Sequence, residues 1–318
     1  MAGQNRILEL LVQHKANINA VDENGRSPLL HLASDTAKTP KWNRETVSII
    51  LNAGANVDHS DKDRRTTRRR TALQWAASTG HLILVQAIFN HVPPGKPSKL
   101  VNDRTSRGKT ALHLAAQHGQ SDMVRLLLNH DANIEAASEG GWTPLLIAAK
   151  AGHADVVEAL LGAHIPANVN ARTSSGMTAL HWAAENGYAR VVERILAEDK
   201  AWKNPKDSFH TTPLLRAGQH GHVEIVQLLK PYLFGGSLND HALHACKEFT
   251  ASVVDFYVKA GTFDRNEVRR MPVWEILYAE DPKDKSKFGV TTKLDDIRKA
   301  GSIGVHNWTA YRPGTQFR

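Results

Sequence analysis

The chain has 318 residues, of which 41% are hydrophobic and 23% charged, and its formal net charge is +8. This balance is that of a globular protein and argues against wholesale disorder. Its apolar runs are far shorter than the ~18 residues that a membrane helix needs, and charged residues interrupt the span where a signal peptide would have its apolar core. Cys246 is the only cysteine, so no internal disulfide can form. We expect an intracellular protein, cytoplasmic or nuclear, that does not insert into a membrane.

A single phrase recurs along the chain. It is SPLLHLA from Ser27, TALQWAA from Thr71, TALHLAA from Thr110, TPLLIAA from Thr143, TALHWAA from Thr178 and TPLLRAG from Thr212. The starting residues are 44, 39, 33, 35 and 34 residues apart. A near-constant period of roughly 20–50 residues indicates an array of stacked units.

Each unit carries the signals of two short helices. The Ser or Thr that opens the phrase is an N-cap residue, and Pro or Ala follows where the first helical turn tolerates a missing N–H. Apolar residues then recur at helical spacing in a second segment, as in Val156, Val157, Leu160 and Leu161. Between the two segments, where a left-handed residue ends a helix, stand Gly80, Gly119, Gly152, Gly187 and Gly221. One unit cannot bury its apolar face alone, so the units must stack.

These motifs, with unit endings such as KANINA, GANVDH and PANVNA, resemble the ankyrin family from about residue 3 to residue 261. The resemblance implies an all-α fold, an ankyrin-repeat solenoid of helix-turn-helix units joined by β-hairpin loops. We predict one array over residues 1–261, with a half unit at 2–24, full units over about 25–235 and a degenerate unit at about 236–261. The half unit lacks an inner helix, so we expect a partly uncovered apolar face at Ile7, Leu8, Leu10 and Leu11.

The C-terminal residues 262–318 have no such period, and we expect them to form a short irregular cap on the last unit or a linker. The stretch VWEILYAEDP and the final Phe317-Arg318 resemble linkers in fungal multi-ankyrin proteins that continue into a magnesium-transporter-like membrane region. This chain shows no such membrane region, so we infer no transport activity from the resemblance.

The seventeen histidines do not form the pattern of a metal site. The resemblance assigns His113, His181 and His244 to a position where the ring hydrogen-bonds the backbone of an adjacent turn, and no compact Cys/His cluster has zinc-like spacing. Neither a G-x-S-x-G elbow nor a G-x-x-x-x-G-K-[ST] phosphate loop occurs. Cys246 stands where the family has a helix alanine. We therefore expect no metal, no cofactor and no catalysis.

The run KDRRTTRRR, from Lys62 to Arg70, is the strongest local charge feature. It could serve nuclear import or nucleic-acid binding. The alternative is a solvated hairpin tip, which we favour because nucleic-acid binding would better suit basic residues spread along a face with stacking aromatics.

Partners of the ankyrin family usually contact the hairpin tips and the exposed ends of the inner helices. Carried over to the matching positions, this implies a partner-binding face of Arg68, Arg70, Arg107, Lys109, Gln117, His118, Trp142, Lys150, Met177, Glu185, Asn186, Phe209 and His220. Its N-terminal part is basic. The large apolar groups of Trp142, Met177 and Phe209 either anchor a partner or pack on a neighbouring hairpin. The hypothesis is an extended partner with an acidic end and an apolar end.

The sequence favours a non-catalytic protein-protein interaction scaffold. The alternative is a regulatory or targeting part of a larger multidomain protein, one that could be membrane-associated, and nucleic-acid binding through residues 62–70 is a less favoured third hypothesis. The uncovered N-terminal face makes end-to-end association conceivable, so the oligomeric state stays open, as does the identity of the partner.

Overall fold

The computed structural model of the protein describes residues 2–36, 42–61, 69–93 and 97–232. The packing of its backbone divides the chain into two units. The first unit comprises residues 1–179 and 194–201, and the second comprises residues 180–193 and 202–318.

Several sequence predictions lie outside the described residues. They concern the degenerate unit at 236–261 with His244 and Cys246, the cap or linker at 262–318, Arg68, and all but Arg69 and Arg70 of the basic run.

Fourteen α-helices make up most of the regular structure of the described residues. They are α1 (Ala2–Gln13), α2 (Pro28–Ser34), α3 (Arg44–Asn52), α4 (Ala72–Thr79), α5 (Leu82–His91), α6 (Pro97–Val101), α7 (Ala111–Gln117), α8 (Ser121–Leu128), α9 (Pro144–Ala151), α10 (Ala154–Leu161), α11 (Ala179–Asn186), α12 (Ala189–Leu196), α13 (Pro213–Gln219) and α14 (Val223–Leu229). Within the described ranges no β-strand forms, and Ser60 and Thr71 make an isolated antiparallel bridge. The all-α prediction is confirmed.

The residues predicted as N-caps start the inner helices. The side-chain oxygens of Ser27, Thr71, Thr143 and Thr212 each accept a hydrogen bond from the backbone N–H three residues further on, at 3.3–3.5 Å. Such a cap satisfies one of the N–H groups that the first helical turn leaves without a partner, and it contributes about 1 kcal/mol. The recurring phrase therefore sets where each inner helix begins.

The first unit has two layers of helices. The inner helices α2, α4, α7 and α9 pack on one another in that order, and the outer helices α3, α5, α8 and α10 do the same. Each inner helix also packs on the outer helix of its own repeat. Ala76, Ala115 and Ala148 have no exposed surface, and their small side chains let the inner helices approach closely.

In the second unit, α13 and α14 pack on each other. Leu214 and Ala217 of α13 are buried with Ile225, Val226 and Leu229 of α14. Burial of one such aliphatic side chain stabilises a fold by about 1.5–3 kcal/mol. This pair of helices is therefore stabilised in the same way as the repeats of the first unit, by apolar side chains buried between an inner and an outer helix.

Every described repeat contains residues whose backbone is in the left-handed region, with positive φ. The five glycines predicted to end inner helices all have positive φ, between 73° and 83°. At Gly119 a side chain is also excluded by space, because a Cβ atom would lie 2.8 Å from Nδ1 of His153. At the hairpin turns Gly108 (φ 70°) and Gly176 (φ 75°) are left-handed, and His210 takes the same conformation at φ 58°. The turn thus survives where His210 replaces glycine, at a cost of about 1–2 kcal/mol.

The N-terminal helix α1 presents apolar side chains to solvent, as predicted. Ile7 is 60% exposed and Leu11 51% exposed. On its other side α1 packs on α3, where Asn5 Nδ2 donates a 2.6 Å hydrogen bond to Glu45 Oε2. The described residues leave this face of α1 uncovered.

Candidate functional site

Four of the predicted binding residues converge on one pocket of the first unit. The pocket is lined by Arg70, Thr105, Arg107, Lys109, Leu114 and Gln117, and its volume is about 70 Å³. We call these six residues the basic pocket. Arg70 immediately precedes the N-cap of α4, whereas the other five residues belong to the next repeat, around α7. Two neighbouring repeats therefore form the basic pocket together.

A tight turn holds the two cations of the second of these repeats. The N–H of Thr105 donates to the Lys109 carbonyl at 2.8 Å, and the N–H of Lys109 donates to Thr105 Oγ1 at 3.1 Å. Inside the turn, the N–H of Gly108 donates to the Thr105 carbonyl at 2.8 Å. The Arg107 carbonyl accepts a 3.2 Å hydrogen bond from the N–H of Glu139 in the following hairpin. The backbone that carries Arg107 and Lys109 is therefore held from both sides.

Arg70 is held by residues of its own and the preceding repeat. Asp61 is buried, and its carboxylate accepts hydrogen bonds from the Arg70 backbone N–H at 2.8 Å and from Trp75 Nε1 at 2.9 Å. The guanidinium carbon of Arg70 lies 4.6 Å from the centre of the Trp75 ring, and that of Arg26 lies 5.6 Å from it. A cation–π contact contributes about 0.5–1 kcal/mol at an exposed site. Arg70 is thus placed by its backbone and by its side chain.

The end of α7 closes the basic pocket. Lys109 Nζ donates to Gln117 Oε1 at 2.6 Å. His118 follows at the C-cap of α7, where partial burial and the charges of Arg70, His153 and Lys109 lower its pKa. Burial and neighbouring positive charge both disfavour the protonated imidazole, so they act on His118 in the same direction.

Trp142 and Lys150 belong to the repeat after the basic pocket, and they contact each other. Lys150 Nζ lies 4.7 Å from the centre of the Trp142 ring. Met177 occupies the corresponding tip position one repeat later, but only 4% of it is exposed. Of the two roles that the sequence leaves open for Met177, its burial favours packing within the fold over contact with a partner. Its thioether is buried in the fold, because packing an unbranched apolar side chain is more favourable in free energy than exposing it to water.

In the second unit, Arg216 of α13 makes ion pairs with Asp207 of the hairpin turn and with Glu185 near the end of α11. Arg216 Nη2 lies 2.7 Å from Asp207 Oδ2, and Arg216 Nη1 lies 3.1 Å from Glu185 Oε2. The Asp207 side chain has no exposed surface, whereas that of Arg216 is 19% exposed. Glu185 thus serves as a partner of Arg216, in addition to any external role.

The remaining predicted residues of the second unit are at its surface. Phe209 is 62% exposed, next to the left-handed His210. Asn186 is exposed, and its Nδ2 donates to the Trp182 carbonyl at 2.8 Å. His220 is exposed, and its Nδ1 lies 3.0 Å from the Arg216 carbonyl oxygen. Trp202, at 52% exposed, is the other large apolar side chain that the described part of this unit leaves in solvent.

The described histidines of the recurring phrase have structural roles. His113 Nδ1 accepts from the Thr110 backbone N–H at 3.1 Å, so the proton of the neutral ring is on Nε2, which donates to the Trp142 carbonyl at 2.9 Å. Burial lowers the pKa of His113 to about 4, and the charges of Lys109 and Arg104 act in the same direction. His181 Nε2 lies 3.0 Å from the Thr211 carbonyl oxygen. In the part of the chain that the structure describes, no group of His, Cys, Asp and Glu side chains is arranged to hold a metal ion.

Sequence reasoning missed Asp61, Trp75 and Thr105. A signal for two of them exists, since the residue that opens each hairpin turn has a side-chain oxygen. In four described turns this oxygen accepts from the N–H of the residue that closes the turn, and the pairs are Asp22 with Arg26, Asp61 with Arg70, Thr105 with Lys109 and Asp207 with Thr211. Aligning the repeats on their hairpins would have found the opening position, but not the role of Trp75.

The family model for ankyrin repeats, which spans three copies, matches residues 37–137, 84–173, 130–207 and 162–242. These matches cover more than half of the chain, and the chain belongs to the ankyrin-repeat family. Ankyrin repeats are generally protein-protein interaction modules, and the family is typically non-enzymatic. No curated protein gives a significant match to the chain. Among the described residues, no helix has both the length and the apolar character to cross a bilayer.

Proposed function

We propose that the chain is a non-catalytic scaffold that binds a partner protein at its hairpin tips and inner-helix ends, with an acidic segment of the partner in the basic pocket. One observation carries the proposal: Arg70, Arg107 and Lys109, from two neighbouring repeats, line a single pocket. A cleft lined by charges of one sign focuses their field, so this convergence supports a ligand of opposite charge.

The chemistry of the basic pocket supports carboxylates as ligands. An arginine guanidinium binds a carboxylate through two parallel N–H···O bonds, which gives direction as well as energy. Arg70 and Arg107 would supply two such forks, and Lys109 a third positive charge. Because exposed ion pairs are screened by salt, the pocket would contribute more to partner choice and association rate than to affinity.

Aromatic groups support further contacts with the partner. Trp142 would supply ring surface in the first unit, next to Lys150. Phe209 supports a separate apolar contact with the second unit, because more than half of its surface is exposed. Aromatic side chains are over-represented among the residues that dominate binding energy. The same binding would serve a regulatory or targeting part of a larger protein, the alternative that the sequence leaves open.

Nucleic-acid binding is less favoured by the described part of the site. Sequence-independent binding of single strands combines a basic groove with aromatic rings on which bases stack. The aromatic ring beside Arg70 is that of Trp75, and guanidinium groups of Arg70 and Arg26 already lie against it. A base would have to displace one of these cations before it could stack there.

Affinity capture from a cell lysate tests the proposal. The bait is the full chain, compared with Arg107→Gln/Lys109→Gln, which removes two pocket charges, and with Arg125→Gln/Lys99→Gln, which removes two exposed charges elsewhere. We expect one or more proteins with acidic segments to be lost by the pocket variant and kept by the control. Treatment with nuclease before capture should leave them bound.

Two results would contradict the proposed function. A capture list that is identical for the two variants would mean that the basic pocket does not select partners. Loss of all captured proteins after nuclease treatment would mean that nucleic acid, not protein, is the direct ligand. Circular dichroism of each bait establishes that the variants are equally folded.

A further inference from the structure

We infer that two copies of the chain associate through the apolar side of α1, so that each copy covers this surface on the other. The side chains concerned are Ile7, Leu10 and Leu11, which are 60%, 40% and 51% exposed, and we call them the α1 face. The inference goes beyond the proposed function, because the α1 face is separate from the basic pocket and the hairpin tips.

The α1 face lies where one of the two helix layers of the first unit ends. Helix α1 packs on α3 and so belongs to the outer layer, whereas α2 packs on α4 and belongs to the inner layer. The outer helices α5, α8 and α10 are each covered by the inner helix of their own repeat. Within the described residues, no inner helix covers α1 in this way. The α1 face is therefore open to a helix from another molecule.

Burial within the inner layer shows the same open side. Ala76, Ala115 and Ala148 are the sixth residues of their phrases, and none has exposed surface. The sixth residue of the first phrase is Leu32, which is partly exposed. Helix α2 differs from α4, α7 and α9 in that no described inner helix precedes it, so the sixth position is one that a preceding helix covers. Because leucine is larger than alanine, Leu32 would hold an incoming helix farther from α2 and over α1.

A second copy supplies a helix of the required kind. The α1 face follows the i, i+3, i+4 spacing of an amphipathic helix. Among the described helices, only α1 exposes more than one large apolar side chain, since the other such residue within a helix is Ile83 of α5. The surface that most nearly matches the α1 face is thus the α1 face itself. Self-complementary contact of this kind is what a twofold axis produces.

The helix direction also fits a twofold arrangement. An inner helix and its outer helix are joined by a short connection, which has two residues between α4 and α5. Helices joined in this way run antiparallel. Two α1 helices related by a twofold axis across their apolar faces are antiparallel as well. Each α1 would therefore lie on the other in the direction that an inner helix takes on its outer helix.

Polar contacts hold α1 in the orientation that exposes its apolar face. Asn5 is buried on the opposite side, where its Nδ2 donates to Glu45 Oε2 at 2.6 Å and its Oδ1 accepts from Thr46 Oγ1 at 2.7 Å. Arg6 pairs with Glu9 of the same helix at 3.1 Å, so the charge of Arg6 is balanced within each copy. The α1 face is therefore presented in one orientation, which lowers the entropy lost on association.

The size of the α1 face indicates a weak dimer. A stable interface buries about 800 Å² on each partner. Three partly exposed side chains supply only part of such an area. We therefore expect a dissociation constant of about 1–100 µM, which makes the association dependent on protein concentration.

Sedimentation velocity of the full chain, from about 1 to 300 µM, tests the inference. The test variant is Ile7→Glu/Leu11→Glu, which would bring carboxylates of the two copies together in an apolar contact. Its control is Ile83→Glu/Ile165→Glu, which makes the same changes at apolar side chains that are 45% and 73% exposed elsewhere in the first unit. We expect the test variant to raise the dissociation constant at least about tenfold, and the control to change it less than about twofold. Circular dichroism establishes that each variant is folded.

Four results would overturn the inference. They are a wild type that stays monomeric over the whole range, a dimer that the test variant leaves intact, equal weakening by both variants, and growth into species larger than a dimer. If Ile7→Glu/Leu11→Glu did not fold, the uncharged Ile7→Ser/Leu11→Ser would take its place, and an undiminished dimer would count against the α1 face in the same way. These results leave the basic pocket to the capture experiment, so the inference and the proposed function stand or fall separately.

Discussion

Gln74 and His113 occupy the same position of successive inner helices and make the same pair of hydrogen bonds. The side chain of each accepts from the backbone N–H of the N-cap residue, at 3.2 Å for Gln74 Oε1 and 3.1 Å for His113 Nδ1. Each also donates to a backbone carbonyl further along the chain, from Gln74 Nε2 at 3.0 Å and from His113 Nε2 at 2.9 Å. An amide and a neutral imidazole are therefore interchangeable here, except that only the imidazole titrates.

His113→Gln should make the fold less sensitive to acid. The pKa of His113 is about 4 in the folded chain, below its ordinary value of 6.5, so the unfolded chain binds more protons between these values. Stability is therefore unaffected above pH 6.5 and falls as the pH drops from 6.5 towards 4. We expect His113→Gln to match the wild type near pH 7.5 and to exceed it by about 2 kcal/mol near pH 5. Urea unfolding followed by circular dichroism measures both values.

The reverse exchange is the control for this prediction. Gln74 is also buried, so Gln74→His places a second imidazole in the same hydrogen-bonding position. We expect Gln74→His to add a loss of stability below pH 6.5, because only the neutral form of the new imidazole fits the hydrogen-bonding site. If Gln74→His and the wild type lost stability in parallel as the pH fell, burial of the imidazole could not be the source of the acid sensitivity.

The repeats could be predicted because the recurring phrase begins with a residue that caps a helix and is followed by a glycine that ends the helix. Thr71 caps α4 at one end, and the left-handed Gly80 ends it at the other, as both residue types predict. The local signals and the packing agree at these positions, and such consistency allows a fold to be inferred from sequence.

The basic pocket was only partly predictable, because an insertion breaks the register of the repeats. Thr105 and Lys109 open and close their turn four residues apart, whereas the equivalent Asp61 and Arg70 are nine residues apart. Alignment on the helices alone does not reveal that Asp61 corresponds to Thr105. Helix α6 was missed for a related reason, since it lies in the long connection between α5 and α7, and no other repeat has such a helix within the described residues.

Asp61→Asn should destabilise the first unit. The buried carboxylate accepts from Trp75 Nε1 with one oxygen and from the Arg70 N–H with the other. An asparagine can replace only one of these acceptors, and the amide nitrogen would face another donor. We expect the free energy of unfolding to fall by about 2 kcal/mol, the cost of leaving a buried donor without a partner. Asp199→Asn, at an exposed position, is the matched control and should change stability by less than about 0.5 kcal/mol in the same urea titration.

Arg216→Met should destabilise the second unit, because it leaves the buried Asp207 without its cation. Burial raises the pKa of Asp207, but the Arg216 hydrogen bond and the N–H groups of Thr211 and Phe209 outweigh it, so the pKa is lowered overall. We expect Arg216→Met to cost about 3 kcal/mol at neutral pH, measured by urea unfolding.

A double variant checks the cause of that loss. In Arg216→Met/Asp207→Asn the amide oxygen can still accept from the N–H groups of Phe209 and Thr211, and no charge is buried. We therefore expect the double variant to be more stable than Arg216→Met alone. A double variant as unstable as Arg216→Met would show that lost packing of the arginine stem, and not the unpaired carboxylate, causes the destabilisation.

Arg70→Gln should raise the pKa of His118. Partial burial lowers that pKa in both proteins, but only the wild type adds the positive charge of Arg70. Without this charge the protonated imidazole is less disfavoured, so the pKa moves back towards its ordinary value. A pH titration of the His118 Cε1–H signal by NMR measures the change, with the signal assigned from its loss in His118→Gln. Arg125→Gln should leave the titration unchanged. A His118 pKa that does not respond to Arg70→Gln would mean that the guanidinium is not held beside α7 in solution, and the three cations would then no longer define one binding pocket.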